Sequence, residues 1–187
     1  MASIPERPGA SQSPLVWLEV GSSSTHGEYV VMQRLDLNKI PLELKVRPQW
    51  VAHRPDKKPV NPKTGKLAKV DDPETWGTFS QAVEYYEAHK GKRIAGIGYM
   101  FSFYDPYAGI DLDKCRNPET GEIKEWAWEI IKRFNSYTEI SPSGTGIHIL
   151  IQGKLPSNAE HTRKMPDGGK IEVYDSLRYL TMTGNLI

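Results

Sequence analysis

Asp111 and Asp113 stand two residues apart in the stretch Tyr107-Ala-Gly-Ile-Asp-Leu-Asp-Lys114. Tyr107, Gly109, Asp111 and Asp113 alternate with Ala108, Ile110 and Leu112, the period-two pattern of a half-buried strand. Residues i and i+2 of a strand share a face, so both carboxylates project one way while Ile110 and Leu112 face a core. Two adjacent carboxylates repel, and one is pushed towards protonation unless a cation lies between them. Hard oxygen ligands of this kind suit magnesium or manganese. By itself the stretch also reads as a strand ending in a polar turn.

Two later stretches carry chemistry of their own. Ser141-Pro-Ser-Gly-Thr-Gly146 runs into Ile147-His-Ile-Leu150. The hydroxyls of Ser141 and Ser143 and the small Gly144 let a backbone approach phosphate oxygens closely and offer several donors. His148 points away from the side of Ile147 and Ile149, and an imidazole there can donate to a triphosphate. The loop lacks the Gly-Lys-Ser/Thr ending of a Walker loop, and a plain hairpin with an exposed histidine is the alternative. In Lys170-Ile-Glu-Val-Tyr174, Glu172 alternates with apolar neighbours on a strand. Asp175 competes for the same role but falls at a turn. Arg178 and Tyr179 follow, a cation and a flat ring suited to a nucleotide, with a structural arginine as the alternative.

The formal net charge is +1, yet Lys45 to Lys69 holds eight basic side chains against one acid, Asp56. Within that block Arg54, Lys57, Lys58, Lys63 and Lys66 punctuate a proline-rich loop and suggest a polyanion partner at one face. The chain has 187 residues, 25% of them charged and 38% apolar, which fits one globular domain with a core, with or without a tail. No apolar run approaches a bilayer span and the N-terminus shows no basic-then-apolar signal pattern, so a cytoplasmic protein without membrane contact is expected. Cys115 is the single cysteine; it excludes an intramolecular disulfide and a thiolate zinc cluster, and is expected to be an inert thiol.

The elements that must position these residues are mixed. Residues 1–40, dense in Pro, Gly and Ser, read as a poorly structured leader or arm with short strands at most at Leu15–Val20 and Tyr29–Leu37, and residues 41–187 as the functional domain. Trp50–Ala52 reads as a strand. Thr78 with Gln81 forms a capping-box pattern for a helix that stops at Gly91. Ile94–Phe103 and Tyr107–Asp113 are expected to pair as a hairpin across Tyr104-Asp105-Pro106. Glu122–Asn135 carries Ile123, Trp126, Ala127, Ile130, Ile131 and Phe134 at helical spacing. Tyr137–Ile140 with Gly146–Gln152, and Lys170–Tyr174 with Arg178–Thr183, read as further strand pairs. The order predicts an α+β fold, a mixed or antiparallel sheet with flanking helices.

Asp111-Leu-Asp113, then Ser143-Gly-Thr-Gly-Ile-His148, then Ile171-Glu-Val-Tyr174 resemble, in that order, the three motifs of the archaeo-eukaryotic primase superfamily. The likeness is nearest to the bifunctional primase/polymerase (prim-pol) domain of phage and plasmid replication proteins. Ser136-Tyr-Thr-Glu-Ile-Ser-Pro-Ser-Gly144, Glu172-Val-Tyr-Asp-Ser-Leu-Arg-Tyr179 and Pro59-Val-Asn-Pro62 add to it, and the resemblance spans about residues 45–185. It implies a catalytic sheet related to the RNA-recognition-motif fold, with Asp111, Asp113 and Glu172 as catalytic ligands of a Mg²⁺ or Mn²⁺ pair. It implies that Ser143 and His148 contact the nucleotide phosphates; Ser141 and Gly144 are expected to help bind the nucleotide, Lys170 and Arg178 to neutralise phosphate charge, and Tyr179 to pack on the sugar or base. The partners implied are a single-stranded DNA template and primer, dNTPs or NTPs, and a replicative helicase in cis or in trans. The basic block would then follow the DNA. Family members usually continue beyond the third motif into a small helical region, expected here to be missing. Two other readings are a non-catalytic nucleic-acid-binding module that keeps the fold, and a rolling-circle initiator or relaxase. The last wants paired histidines and a nucleophilic tyrosine, whereas His148 is isolated.

Overall fold

The computed structural model describes residues 35–187. The expected leader therefore lies, for residues 1–34, outside the described residues. The chain runs through α1 (Leu42–Lys45), β1 (Trp50–His53), β2 (Pro59–Val60), α2 (Phe79–His89), β3 (Gly96–Phe101) and β4 (Tyr107–Asp113). It continues with α3 (Glu125–Phe134), β5 (Thr138–Ile140), β6 (Ile147–Gln152), β7 (Thr162–Lys164), β8 (Lys170–Tyr174) and β9 (Arg178–Met182). The strands form two sheets, ordered β2-β1-β3-β9 and β5-β6-β4-β8-β7, and every strand pair is antiparallel. The fold is α+β.

Each sheet has its own helix. α2 starts where Thr78 Oγ1 accepts from the Gln81 amide and Gln81 Oε1 accepts from the Thr78 amide, at 3.2 and 2.9 Å. Its Ala82 and Tyr86 are buried with Trp50, Ala52, Ile97 and Tyr99 of the first sheet. Leu35 and Leu37 pack against the same core, in which Ile40 is buried. α3 lays Trp126, Ala127, Ile130 and Ile131, with Ile123 just before it, under Ile110 and Leu112 of β4 and Ile147 and Ile149 of β6. These are the alternate residues that strand periodicity turns away from Asp111 and His148. Phe134, expected on that apolar face, is largely exposed, because the helix ends there with Asn135 in the left-handed conformation. Cys115 is buried in the same cluster, and burial pushes its thiol up to about 12. No helix among the described residues is long and apolar enough to cross a membrane.

Two expected hairpins do not form. β3 and β4 are consecutive but lie in different sheets, as do β8 and β9. β3 is buried at all six positions and takes β1 and β9 as its neighbours. Between β3 and β4 the buried Asp105 organises a turn rather than a tight hairpin. Its Oδ2 accepts from the Ser102 amide and the Gln49 side chain, and its Oδ1 accepts from the Tyr107 amide, so the chain leaves one sheet and enters the other. Between β8 and β9, Leu177 takes a positive φ of 53° while Asp175 Oδ2 accepts from the Leu155 amide. The two crossings run side by side: Lys154 Nζ donates to the Ser102 carbonyl at 2.9 Å and to the Asp175 carbonyl at 3.2 Å. The pairing of β5 with β6 forms as expected.

Candidate active site

β4 is the middle strand of the second sheet, and its register fixes the site. Asp111 lies opposite His148 of β6 on one side and Glu172 of β8 on the other. His148 in turn lies opposite Glu139 of β5, and Glu172 opposite Thr162 of β7. Directly paired residues of an antiparallel sheet share a face. Glu139, His148, Asp111, Glu172 and Thr162 therefore form one row across all five strands. Asp113, Lys170 and Lys164 form the next row on the same face. Glu139, His148, Asp111 and Glu172, scattered along the sequence, become neighbours through register alone.

Asp111, Asp113 and Glu172 each present a carboxylate oxygen, and the three lie within 4.8 Å of one another. They are half-buried, open enough for a ligand and dry enough for charge to matter. Burial is the largest influence on Asp111 and lifts its carboxyl above the ordinary range; Asp113 and Glu172 add repulsion, against the pull of His148 and Lys57. Burial also opposes ionisation of Glu172, but bonds from Lys170 and Tyr174 outweigh it and hold that carboxyl below its ordinary range. Lys170 Nζ lies 3.0 Å from Asp113 Oδ2 and 2.6 Å from Glu172 Oε2, and these partners raise its ammonium above the usual range. Tyr174 donates to Glu172 Oε1 at 2.5 Å. The Tyr174 ring carries the Arg178 guanidinium at 4.9 Å and stacks with His161 at 6.2 Å. Three oxygen ligands at this spacing, two of them already holding a cation, fit a hard divalent ion such as Mg²⁺ or Mn²⁺.

The Ser141–Gly146 loop adjoins the chain leaving β4, where the Cys115 and Arg116 amides donate to the Thr145 carbonyl at 2.9 and 3.0 Å. Ser141 Oγ accepts from the Gly146 amide and lies 3.0 Å from Ser143 Oγ, which lies 2.9 Å from Thr145 Oγ1. Gly144 has a φ of +73°, a conformation that favours glycine, and Arg116 donates to its carbonyl. Ser141 is buried and Ser143 exposed, so Ser143 is the hydroxyl available to a ligand. His148 is buried, not the exposed histidine of a plain hairpin: its Nδ1 lies 3.3 Å from Glu139 Oε1 and its Nε2 lies 3.7 Å from Asp111 Oδ1. Carboxylates, not a second imidazole, flank it.

Strand alternation separates Arg178 from Tyr179. Arg178 lies over Tyr174 beside the acids. Tyr179 packs its ring with Val51, Ala68, Trp76 and Met100 and donates its hydroxyl to the Lys57 carbonyl. Its half-buried ring therefore packs against that cluster and not beside Arg178 and the acids. Arg54, Lys57 and Lys58 sit on the turn joining β1 and β2, and Lys63 and Lys66 on the following turn; all five are exposed. Lys58 pairs with Asp56 at 3.1 Å and Lys63 donates to the Glu74 carbonyl at 2.8 Å. Lys57 acts electrostatically on Asp111. Sequence reasoning missed Glu139 and the hydroxyl of Tyr174. Glu139 lies between the β-branched Thr138 and Ile140, a weaker form of the signal that marked Glu172 between Ile171 and Val173.

No family model matches the chain. Over 137 residues it is 39% identical to a protein of Nitratiruptor phage NrS-1 described as "DNA Primase-polymerase". That match covers 73% of this chain, which spans about a fifth (19%) of the length of the phage protein. The order of the three motifs, their meeting on one sheet face and this identity agree: the chain carries a prim-pol domain and belongs to the primase-polymerase family.

Proposed function

We propose that this domain is a template-dependent nucleotidyltransferase that synthesises or extends primers on single-stranded DNA, adding dNTPs with NTPs as an alternative substrate. The observation that carries the reading is the meeting of Asp111, Asp113 and Glu172 within 4.8 Å on the central strands of one sheet. These three would hold Mg²⁺ or Mn²⁺, which when bound as a pair stabilises the attacking and leaving oxygens of an in-line phosphoryl transfer. The likeness to a phage primase-polymerase supports the same chemistry. Among the described residues the carboxylates of Glu139 and Asp111, not a second histidine, flank His148, which favours a polymerase over a relaxase.

The chain's own side chains divide the remaining work. Lys170 and Arg178 bring positive charge beside the acids and would neutralise triphosphate oxygens. Ser143, with Ser141 and Gly144 shaping its loop, would donate to the same phosphates. His148, in the same row, holds Nε2 3.7 Å from Asp111 Oδ1. Tyr174 and Lys170 each hold one oxygen of Glu172, which fixes the orientation of that carboxylate. Arg54, Lys57, Lys58, Lys63 and Lys66 would track a nucleic-acid backbone leading to the site, and their contribution would weaken with salt. A replicative helicase, in cis or in trans, is the partner such an activity serves in phage or plasmid replication. A cytoplasmic site of action follows from that substrate.

Primer extension on a templated oligonucleotide tests this reading. Wild type is expected to extend with Mg²⁺ or Mn²⁺ and not with chelator, and Asp111→Ala/Asp113→Ala to lose extension by at least a thousandfold, roughly 4 kcal/mol of barrier. Extension that survives both substitutions would remove Asp111 and Asp113 as the metal ligands, whereas wild type that binds DNA tightly but never extends would remove the enzyme reading and leave a binding module.

A further inference from the structure

Glu139 occupies a place where an apolar side chain would be expected. It is fully buried at the edge of the second sheet, yet it is surrounded by donors. The Thr183 amide lies 3.0 Å from each of its oxygens, the Gly184 amide 2.8 Å from Oε2 and the Tyr137 hydroxyl 2.6 Å from Oε2. The fourth donor is His148 Nδ1, 3.3 Å from Oε1. Removing a carboxylate from water costs several kcal/mol even after the surroundings relax. Backbone amides of the segment after β9 and a hydroxyl from β5's own approach offset that cost and prevent Glu139 from rotating.

The direction of its bond to His148 follows from valence. An ionised carboxylate only accepts, so the proton between the two residues belongs to Nδ1. With Nδ1 committed, the imidazole cannot flip, and Nε2 is held 3.7 Å from Asp111 Oδ1. Register makes the arrangement continuous: Glu139, His148 and Asp111 are consecutive partners across β5, β6 and β4. Groups that orient a ligand from behind commonly change metal affinity by roughly 10–100-fold when removed.

We propose that Glu139 is a positioning residue of the metal site, acting through His148 on Asp111. This rests on the reading of Asp111, Asp113 and Glu172 as cation ligands. Glu139 holds the Nδ1 proton and so fixes where the His148 ring points; the ring, 3.7 Å from Asp111 Oδ1, then limits by its bulk how far the Asp111 carboxylate can turn as it meets a cation.

Manganese alone, titrated into the full chain by calorimetry, tests the proposal in a double-mutant cycle of Glu139→Gln and His148→Asn. Glu139→Gln is expected to weaken Mn²⁺ binding about tenfold, and to produce no further loss once His148→Asn is present. Equal losses in both backgrounds would mean that Glu139 acts as framework only, and would overturn the proposal. So would unchanged affinity in Glu139→Gln. Wild type that binds no manganese would remove the metal reading itself, an outcome distinct from the other two. Because Glu139→Gln can also disturb folding, the wild type supplies an independent readout: nitrogen–proton NMR of the histidine rings should find a proton on Nδ1 of His148, and a bare Nδ1 overturns the proposal.

Discussion

Lys170 places an ammonium between Asp113 and Glu172, on two of the three carboxylates that would bind a divalent ion. A cation held by the same oxygens must share or displace that charge, and a nucleotide triphosphate gives the ammonium somewhere else to go. Lys170→Gln should therefore tighten Mn²⁺ binding several-fold without nucleotide, and weaken nucleotide binding once the metal is present. Calorimetry with manganese alone and then with manganese plus dNTP separates the two effects; weaker metal binding in the first titration would contradict the argument. The pH dependence has a definite sign. A ligand must lose its proton to hold a cation, and burial raises the Asp111 carboxyl. Manganese affinity should fall as pH drops through that raised value, earlier on acidification than an ordinary aspartate would give. Lys170, raised by Glu172 and Asp113, stays charged throughout and adds no pH dependence of its own.

At the scale of the element, β4 has to bring two carboxylates into the open while passing under the first sheet. Gly109 allows this. A Cβ there would lie 2.6 Å from Phe101 Cζ and 3.3 Å from Leu180 Cδ2, both on the facing sheet. Gly109→Ala should force the sheets apart, cost about 1–3 kcal/mol in denaturant unfolding, and lower metal affinity because β4 carries two ligands; a neutral substitution would show that the ring yields. Much of this element-level picture was legible in the sequence. Period-two alternation put Asp111 and Asp113 on one face and Glu172 on another strand, and the Thr78–Gln81 capping box marked the start of α2. What alternation does not encode is which strand pairs with which. The short links at Asp105 and Leu177 look like hairpin turns but carry the chain between sheets, because hydrogen bonds from Gln49 and Leu155, remote in sequence, hold them there. Glu139 was missed, and the packing of Tyr179 not foreseen, for a related reason. Their surroundings depend on what lies across the sheet, a carboxylate row in one case and a packed cluster in the other.

For the molecule as a whole, the acid-bearing sheet is one continuous stretch of chain, β4 to β8, set between β3 and β9 of the other sheet. Its two ends meet at Lys154, whose ammonium binds the Ser102 and Asp175 carbonyls. Lys154→Met should cost about 1 kcal/mol, read by denaturant unfolding, and leave Mn²⁺ affinity unchanged, since Lys154 makes no contact with the acids. Its kinetic effect is more telling. β3 and β9 pair from Ile97–Met182 to Phe101–Arg178, with the entire second sheet between them in the chain. Closing so long a loop early costs entropy that a few strand contacts cannot repay. Once β4 to β8 have zipped together, the ends already lie side by side and β9 needs only to dock. The order of assembly is thus written into the topology: the sheet that carries the chemistry forms first and serves as the template on which its neighbour is completed. Lys154→Met should accordingly slow refolding more than it speeds unfolding.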